Sequence, residues 1–342
     1  MTIWLISYTA RGRALGARVA DILRAEGHSC RTFALPKFVE EGDEALALSA
    51  PDWAGKAFEE ADALVFCCAS GIAVRAIAPH VKDKRTDPAV LVIDEQGIFV
   101  IPLLSGHLGG ANALAEALAK QLGATPVLTT ATDVNGLFAV DVFAKANDLY
   151  IEDMALAKAV SAALLNREQV GFRSDLPVTG DLPRELTEDG ANLGILISAG
   201  KETPFPRTLR LIPRRYVAGL GCRRGKSEEE LEAFLTENLA RCGVGVHELK
   251  ALASIDLKRD EQGLVSLAGK LAVPFLTYSA EELQAAPGDF TASAFVKETT
   301  CVDSVCERAA VLASGGMLVV KKVAENGMTF ALAKQEEAIR FE

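Results

Sequence analysis

The sequence lacks the marks of a secreted or membrane protein. The residues after Met1, TIWLISYTARGR, show no basic start, no apolar stretch of signal-peptide type and no small-residue cleavage site. No apolar run approaches the ~20 residues that a membrane-spanning helix needs. These absences favour a soluble protein of the cytoplasm.

The sequence also has little from which a metal site could be built. None of its seven cysteines stands in a CxxC pair, and it has only four histidines. A structural zinc site takes four such ligands at close, regular spacings. We therefore expect small buried thiols in a reducing compartment, with no metal site in the protein.

A positive field for nucleic acid is missing too, because the net charge is −10. Two local basic patches nevertheless stand out. Their residues are Arg75, Lys82, Lys84 and Arg85 in the first, and Arg214, Arg215, Arg223, Arg224 and Lys226 in the second. Solvated turns would account for either patch, but two cationic surfaces on an acidic protein suit a polycarboxylate ligand better than DNA.

The length of 342 residues suggests two or three domains at about 150 residues each. In residues 1–145, short apolar runs alternate with helix patterns, including a helix predicted at 108–122. The predicted strands are 2–8, 63–68, 89–94, 98–103 and 126–130. Such alternation predicts an N-terminal α/β domain with a mainly parallel sheet and helices on both faces.

Prolines punctuate the residues that follow, 146–212, and predict a small middle domain that links its neighbours. A helix is predicted there at 152–165. Strands are predicted near 169–173 and 193–198.

The last domain, residues 213–342, is predicted to be a second α/β unit that ends in a β-hairpin. A helix at 228–241 opens with a capping box of Ser227 and Glu230. Further helices are predicted at 247–251, 261–271, 279–285 and 303–314. An Asn-Gly pair at 326–327 between two apolar runs is the strongest short hairpin signal.

Residues 219–227, GLGCRRGKS, lie between a predicted strand and a helix, the setting of a phosphate-binding loop. The motif G-x-x-x-x-G-K-[ST] would need glycine at position 220, where this chain has Leu220. That spacing fixes how many backbone N–H groups surround the phosphates, so the mismatch argues against nucleotide hydrolysis. The basic residues at this helix start still suit an anion, because the helix dipole alone disfavours them.

A second polar turn lies where the strand at 98–103 leads into the helix at 108–122. Its residues are Ser105, Gly106, His107, Gly109, Gly110 and Asn112. The glycines let a bulky ligand approach the backbone, and His107 can move a proton near neutral pH. Asp133 follows the next predicted strand and, in a parallel sheet, would share the edge at which ligands bind. Turn chemistry alone is the alternative interpretation.

Two regions carry a family resemblance. Residues 70–143 contain SGIAVRAIAPHVKDKRTDPAVLVIDEQGIFVIPLLSGHLGGANALAEALAKQLGATPVLTTATDVNG, and residues 216–334 contain GLGCRRGKS, ASIDLKRDEQGLVSLA and SVCERAAVLASGG. The first closely resembles the cobalt-precorrin-5A hydrolase family of anaerobic cobalamin biosynthesis. The second is similar to that family's C-terminal domain, which also occurs alone as a small corrin-pathway protein. Cys301 departs from the pattern, which has glycine there, so Cys301 is not a candidate site residue.

The resemblance implies a hydrolase of vitamin B12 synthesis that acts on a cobalt tetrapyrrole. This substrate carries a δ-lactone made from a ring-A acetate and the methylated C20 carbon. Water opens the lactone, a two-carbon fragment leaves as acetaldehyde, and cobalt-precorrin-5B results. Cobalt arrives with the substrate, so the resemblance implies no cofactor of the protein's own.

This chemistry assigns hypothetical roles to the candidate residues. A lactone carbonyl needs an activated water and a stabilised oxyanion. His107 would be the base or proton shuttle, oriented by Asp133, and amides near Gly109 and Gly110 would hold the oxyanion. The substrate-binding candidates are Arg75, Lys82, Arg85, Ser105, Gly106, Gly109, Gly110, Asn112, Gly221, Arg223, Arg224 and Lys226. Reserve catalytic candidates are Glu298 and the segment 254–256.

The histidine turn and the arginine-rich turn are predicted to face one cleft that holds the anionic macrocycle. A non-catalytic corrinoid carrier or scaffold is the main alternative, and a nucleotide enzyme is the third interpretation. No nucleic acid or membrane partner is expected. A homodimer and transient contacts with other corrin-pathway enzymes stay open.

Overall fold

The fold is that of a computed structural model, which describes residues 1–83, 86–107, 109–291, 303–336 and 338–341. The chain divides into two compact units, residues 1–142 and 143–342. Each unit is built on its own β-sheets and helices. Nowhere in these described ranges is a helix both long enough and apolar enough to cross a membrane.

The first unit is a seven-stranded sheet with helices on both faces. Its strands are β1 (Thr2–Ser7), β2 (Ser29–Ala34), β3 (Asp43–Ala45), β4 (Ala63–Cys67), β5 (Ala89–Ile93), β6 (Phe99–Leu104) and β7 (Thr125–Pro126). Its helices are α1 (Ala10–Ala25), α2 (Ala50–Glu60), α3 (Ser70–Ile77), α4 (Ala111–Leu122) and α5 (Ala131–Val134), with α6 (Val140–Ala146) reaching into the second unit. The strand order is β3-β2-β1-β4-β5-β6-β7.

The central strands are largely apolar because both of their faces are covered. In β1, Ile3 and Leu5 pack under α1 and α4, whereas Trp4 and Ile6 pack against α2 and α3. Strands β4 and β5 are buried along their whole length. Continuous apolar runs of this kind are what a sheet between two helical layers requires.

The predicted parallel sheet is confirmed for β1 to β5, but β6 runs antiparallel to β5. The connection between β5 and β6 spans only residues 94–98, too short for a parallel crossover. Strand β7 is parallel to β6. The C-terminal ends of β6 and β7 therefore lie at the edge where β4 and β5 begin, opposite to the edge assumed from the sequence.

The second unit contains two five-stranded sheets. The first has the order β11-β9-β12-β13-β8 and is packed by α7 (Met154–Leu165). Its strands are β8 (Leu149–Ile151), β9 (Val170–Ser174), β11 (Leu186–Thr187), β12 (Leu193–Ile197) and β13 (Arg207–Pro213), and the short strand β10 (Val178–Thr179) lies outside it.

The second of these sheets has the order β16-β15-β14-β18-β17. Its strands are β14 (Tyr216–Cys222), β15 (Leu249–Ile255), β16 (Phe275–Tyr278), β17 (Met317–Glu325) and β18 (Met328–Lys334). Its helices are α8 (Glu228–Arg241), α9 (Gln262–Leu271), α10 (Ala280–Ala285) and α11 (Val305–Ser314). After the hairpin, β19 (Ile339–Arg340) pairs with β10.

Local signals explain which boundaries were predicted well. The Ser227–Glu230 capping box forms at the start of α8, as predicted. Asn326 and Gly327 have φ angles of 50° and 75° and make the two-residue turn between β17 and β18. Positive φ at both turn positions matches the twist of a hairpin, so the predicted C-terminal hairpin is confirmed.

Three local predictions were wrong. The predicted helix at 247–251 is a 3-10 turn, Val246–Glu248, followed by the start of β15. The predicted strand at 126–130 shrinks to Thr125–Pro126, and the helix predicted from 108 begins at Ala111. In each case tertiary pairing or the glycine turn decided the boundary rather than the local apolar pattern.

Candidate active site

The polar turn before α4 is held by its own backbone. Ser105, at φ 56°, accepts the amide of Ala111 through its carbonyl and donates its hydroxyl to the carbonyl of Asp87 at 2.9 Å. The amide of Gly110 donates to the carbonyl of His107 at 3.0 Å. Of the amides near Gly109 and Gly110 that were predicted to hold an oxyanion, that of Gly110 is therefore already engaged within the turn.

Close packing explains the glycines of this turn. A Cβ on Gly109 would lie 2.3 Å from the Cβ of Ser105, and one on Gly106 would lie 2.7 Å from Oδ1 of Asn112. Separations below 3.0 Å require something to shift. The glycines thus bring Ser105 and Asn112 against the histidine-bearing backbone, and this packing accounts for them without a ligand.

His107 is held between two carboxylates. Its Nε2 lies 3.1 Å from Oδ2 of Asp133, as the sequence predicted, and its Nδ1 lies 3.1 Å from Oδ1 of Asp141. All three side chains are largely shielded from solvent, with exposed fractions of 13% for His107, 25% for Asp133 and 14% for Asp141. The imidazole ring is therefore fixed in both position and orientation.

A second layer of polar groups holds Asp133. The buried side-chain amide of Asn112 donates to Oδ2 of Asp133 at 2.6 Å and to the hydroxyl of Thr130 at 3.1 Å. The hydroxyl of Thr132 lies 3.4 Å from Nε2 of His107. Asn112 is thus a support for the carboxylate that faces the histidine, a role different from direct substrate binding.

The two carboxylates raise the pKa of His107 above its ordinary value. The hydrogen bond with Asp141 is the largest cause, burial of the ring opposes it, and the hydrogen bond with Asp133 adds to the increase. An imidazolium between two aspartates is stabilised by both charges. The ring consequently stays protonated to a higher pH than an ordinary histidine, and in that form it donates a proton rather than accepts one.

Asp141 was missed in the sequence. It lies in the first turn of α6, five residues after the polar run that ends at Gly136. An acid at the start of a short helix is a common capping arrangement, so nothing local distinguished it. Its proximity in the chain to Asp133 was the available signal.

The first basic patch is divided by the sheet. The amide of Lys82 donates to the carboxylate of Asp87, whose carbonyl accepts the Ser105 hydroxyl, so Lys82 lies beside the histidine turn. The Arg75 guanidinium instead donates to the carbonyl of Gly71, at the start of α3 and thus at the opposite edge of the sheet. Arg85 and Lys84 lie outside the described residues.

A cavity of about 420 Å³ opens at the C-terminal ends of β14 and β15, and we call it the C-terminal cavity. It brings together Gly221 and Arg223, two predicted substrate-binding residues, and its other cations are Lys258 and Lys322. Ile255, Val305 and Met328 are among its apolar lining residues. Cationic groups around an apolar floor suit a ligand that is both flat and acidic.

The remaining basic residues of the arginine-rich turn are arranged differently. Lys226 lines a neighbouring depression of about 690 Å³ with Arg223, but its ammonium is paired with Glu230 at 2.6 Å. Glu261 accepts the amide of Gly225 at 2.8 Å. The protein's own acids thus supply the negative charge expected of a ligand at this helix start. Arg224 is exposed and lines neither cavity.

The structure adds little support for the reserve catalytic candidates. Ser254 is fully buried and donates to the carbonyl of Leu220 at 2.6 Å, which leaves its hydroxyl engaged in the sheet. Asp256 begins a 3-10 turn at the end of β15. Glu298 and Cys301 lie outside the described residues.

In the described ranges, no group of three or more His, Cys, Asp and Glu side chains is arranged to hold a metal ion. Six cysteines are described, and all six are free thiols. Burial raises the pKa of Cys67 to about 12 and that of Cys306 to about 11. Cys67 and Cys306 are therefore unreactive packing groups.

Three family models together match most of the chain, from residue 52 to residue 333. The model for the cobalamin synthesis G N-terminal region covers residues 52–133. The cobalamin biosynthesis central region covers 138–213, and the cobalamin synthesis G C-terminus covers 216–333. The three matches follow one another along the chain without overlap.

Curated relatives agree with these models. The chain is 40% identical to a cobalt-precorrin-5A hydrolase of Salmonella typhimurium, with 97% of both chains covered. It is 33% identical to a cobalt-precorrin-5A hydrolase of Priestia megaterium, covering 79% of this chain and 78% of the relative. A solved structure of CobE, a protein of the cobalamin pathway, covers 35% of this chain and 92% of its own length at 38% identity, with a TM-score of 0.33.

Proposed function

Because the chain belongs to the cobalt-precorrin-5A hydrolase family, we infer that it opens the δ-lactone of cobalt-precorrin-5A with water and releases acetaldehyde. The product is cobalt-precorrin-5B, and the step belongs to anaerobic cobalamin biosynthesis. The observation that carries this conclusion is 40% identity over 97% of both chains. Cobalt belongs to the substrate in this reaction, and we propose that the protein adds no cofactor.

We propose that His107, Asp133 and Asp141 form the catalytic group. Asp133 takes a proton from water while the water oxygen bonds to the lactone carbonyl carbon. The carbon–oxygen bond of the lactone then breaks, and His107 in its protonated form donates its proton to the departing C20 oxygen. A general base and a general acid in one site typically contribute about 10²–10⁴-fold each.

The contact between Asp133 and His107 resets the site after each turnover. Protonated Asp133 lies 3.1 Å from Nε2 of His107, within reach for returning its proton to the ring. Asp141 stays ionised on the other nitrogen and keeps the ring oriented. The sequence-based hypothesis had His107 as the base or proton shuttle and Asp133 as its orienting residue. We propose instead that Asp133 is the base and His107 the acid, because the pKa of His107 is raised.

Substrate binding is assigned to cationic groups in both units. Lys82 lies beside the histidine turn, and Arg223 lines the C-terminal cavity. Each can pair with a carboxylate of the tetrapyrrole. Assembly as a homodimer, transient contacts with other corrin-pathway enzymes and a cytoplasmic location likewise remain proposals.

The test is acetaldehyde release from cobalt-precorrin-5A, followed by the NADH that alcohol dehydrogenase consumes in reducing it. The wild-type protein is expected to release acetaldehyde, and His107→Ala is expected to release it at least 10²-fold more slowly. His28→Ala is the matched control, since His28 lies in the same unit outside the site. Tight corrinoid binding without acetaldehyde from the wild type would instead indicate a carrier.

A further inference from the structure

Lys322 is a cation that neither the family resemblance nor the sequence assigned. It lines the C-terminal cavity together with Arg223 and Lys258. Lys258 is neutralised by Glu261, whose carboxylate lies 2.8 Å from its ammonium. For Lys322 and Arg223, no carboxylate lies within ion-pair distance in the part of the chain that the structure describes. The cavity therefore presents two cations without an ion-pair partner, and its lining also includes one acid, Glu325, that pairs with neither of them.

The backbone around Lys322 is irregular in a way that the sequence explains poorly. The pairing of β17 with β18 shifts register between Val320 and Val323, so β17 carries an extra residue there. Such a bulge leaves a backbone N–H outside the ladder and re-aims the neighbouring side chains. The N–H of Lys322 is one of these groups, and it needs a partner from elsewhere.

Glu307 on α11 provides that partner. Its fully buried carboxylate accepts the N–H of Lys322 at 2.7 Å. It also accepts the amide and hydroxyl of Thr291 at 2.6 and 2.9 Å and the hydroxyl of Ser304 at 3.0 Å. Burial raises the pKa of Glu307, but these donors outweigh it and hold the pKa below its ordinary value. The group is thus a buried carboxylate with all its charge satisfied by hydrogen bonds.

The charge of Lys322 also affects the pKa of a buried residue, Cys306. The positive charge of Lys322 partly opposes the burial-induced rise in the pKa of Cys306, the residue before Glu307. The side chain of Lys322 is itself partly buried, in keeping with its place in the cavity lining.

We propose that Lys322, with Arg223, binds a carboxylate side chain of the tetrapyrrole in the C-terminal cavity, and that Glu307 is the positioning residue that fixes the bulge presenting Lys322. The proposal rests on the proposed function for the identity of the ligand. A volume of about 420 Å³ lies near the lower end of ligand pockets, ~300–1,000 Å³. The cavity therefore takes one edge of the macrocycle with its acidic side chain.

The first experiment measures binding of cobyrinic acid, a stable cobalt corrinoid with free side-chain carboxylates, by titration calorimetry. Lys322→Gln is expected to raise the dissociation constant about tenfold, and Lys321→Gln to leave it unchanged. Lys321 is the matched control because it is the next residue on β17, is 68% exposed and does not line the cavity. Equal effects of the two variants would overturn the carboxylate contact.

A corrinoid whose side-chain carboxylates are all amides separates charge recognition from ring packing. The wild type is expected to bind this amide about tenfold more weakly than cobyrinic acid, and Lys322→Gln to bind the two about equally. If Lys322→Gln still binds cobyrinic acid more tightly than the amide by the same factor as the wild type, Lys322 does not bind the carboxylate.

The second experiment tests Glu307 with a double-mutant cycle. Glu307→Gln keeps the shape but replaces an acceptor by a donor group facing Thr291 and Ser304. Its loss of cobyrinic acid affinity is expected to be non-additive with Lys322→Gln, because both act through one contact. Additive losses would reduce Glu307 to a stabilising residue. If Glu307→Gln does not fold, Thr291→Val, which removes one donor to Glu307, enters the cycle in its place.

The two proposals fail separately. If the wild type binds cobyrinic acid through Lys322 but releases no acetaldehyde, the proposed reaction falls and the carboxylate contact stands. If acetaldehyde release is intact and Lys322→Gln changes neither affinity nor KM, the contact falls and the reaction stands.

Discussion

The histidine turn of the first unit and the C-terminal cavity of the second use charge in opposite ways. Around His107 the positive charge of the protonated ring is matched within the protein, by Asp133 on one nitrogen and Asp141 on the other. In the C-terminal cavity, Arg223 and Lys322 form no ion pair with any carboxylate of the described residues, although Glu325 also lines the cavity. A matched group holds a proton-transfer geometry before substrate arrives, whereas unmatched cations gain their partner only on binding.

This contrast predicts different kinetic signatures for the two regions. Substitutions in the histidine turn should lower kcat, because the side chains there act on the reacting atoms. Substitutions in the C-terminal cavity should raise KM and leave kcat unchanged, because the contacts there stabilise the ground state and the transition state equally. Four measurements follow, from the largest expected effect to the smallest.

Asp133→Asn is expected to lower kcat by about 10²–10⁴-fold with little change in KM, because the amide cannot take a proton from water. Acetaldehyde release under saturating substrate measures the effect. Asp62→Asn, a change of the same kind at an exposed aspartate that accepts the amide of Thr2, is the control. Wild-type kcat in Asp133→Asn would remove Asp133 from the chemistry.

Gly109→Ala is expected to lower the free energy of unfolding by about 1–3 kcal/mol, as overpacking does. The added Cβ would sit 2.3 Å from the Cβ of Ser105 and so displace the turn that carries His107. Gly269→Ala in α9 is the control, since a Cβ there meets no atom within 4 Å. Urea unfolding measures both, and a stability unchanged by Gly109→Ala would contradict the packing account.

Arg223→Gln is expected to raise KM about tenfold, a change of about 1.4 kcal/mol, and to leave kcat within a factor of two. Arg224→Gln, which removes the same charge from the next residue outside the cavity, should change neither constant. A fall in kcat with constant KM would assign Arg223 to the chemistry and erase the contrast between the regions.

The smallest effect is the pH dependence of stability. The pKa of His107 is raised in the folded protein, so its contribution to stability is full below the unfolded value of 6.5 and is lost as the pH rises through the folded value. Urea unfolding above and below pH 6.5 should show this decline in the wild type and a smaller one in His107→Gln. If the free energy of unfolding changes with pH equally in both proteins, the aspartates do not stabilise the charged ring.

Much of the fold could be predicted because several residues carry strong local signals. Fully apolar β4 and β5 indicated buried strands, Ser227 and Glu230 marked the start of α8, and the Asn-Gly turn marked the hairpin. The direction of β6 was recoverable too, since five residues cannot make a parallel crossover. In contrast, β15 was partly predicted as a helix because its pairing with β14 and β16 is non-local.

The candidate site was predicted only in part. His107 and Asp133 stood out because a histidine among glycines and a run of polar residues are uncommon at strand ends. Asp141, Glu307 and Lys322 did not, because an acid at a helix start, an acid within a helix and a lysine in a strand are ordinary in sequence. Their roles arise from contacts across 34 positions for His107 and Asp141, and across 15 for Glu307 and Lys322.

The return of β19 to β10 has a consequence for how this chain can be divided. Tyr216 at the start of β14 pairs with Lys334 at the end of β18. The chain therefore enters and leaves the sheet that contains the C-terminal cavity at neighbouring positions. The strand before it, β13, belongs to the sheet of β8, β9, β11 and β12. The strand after it, β19, pairs with β10. The two ends of residues 216–334 therefore lie side by side, and a chain without these residues could be rejoined by a short linker.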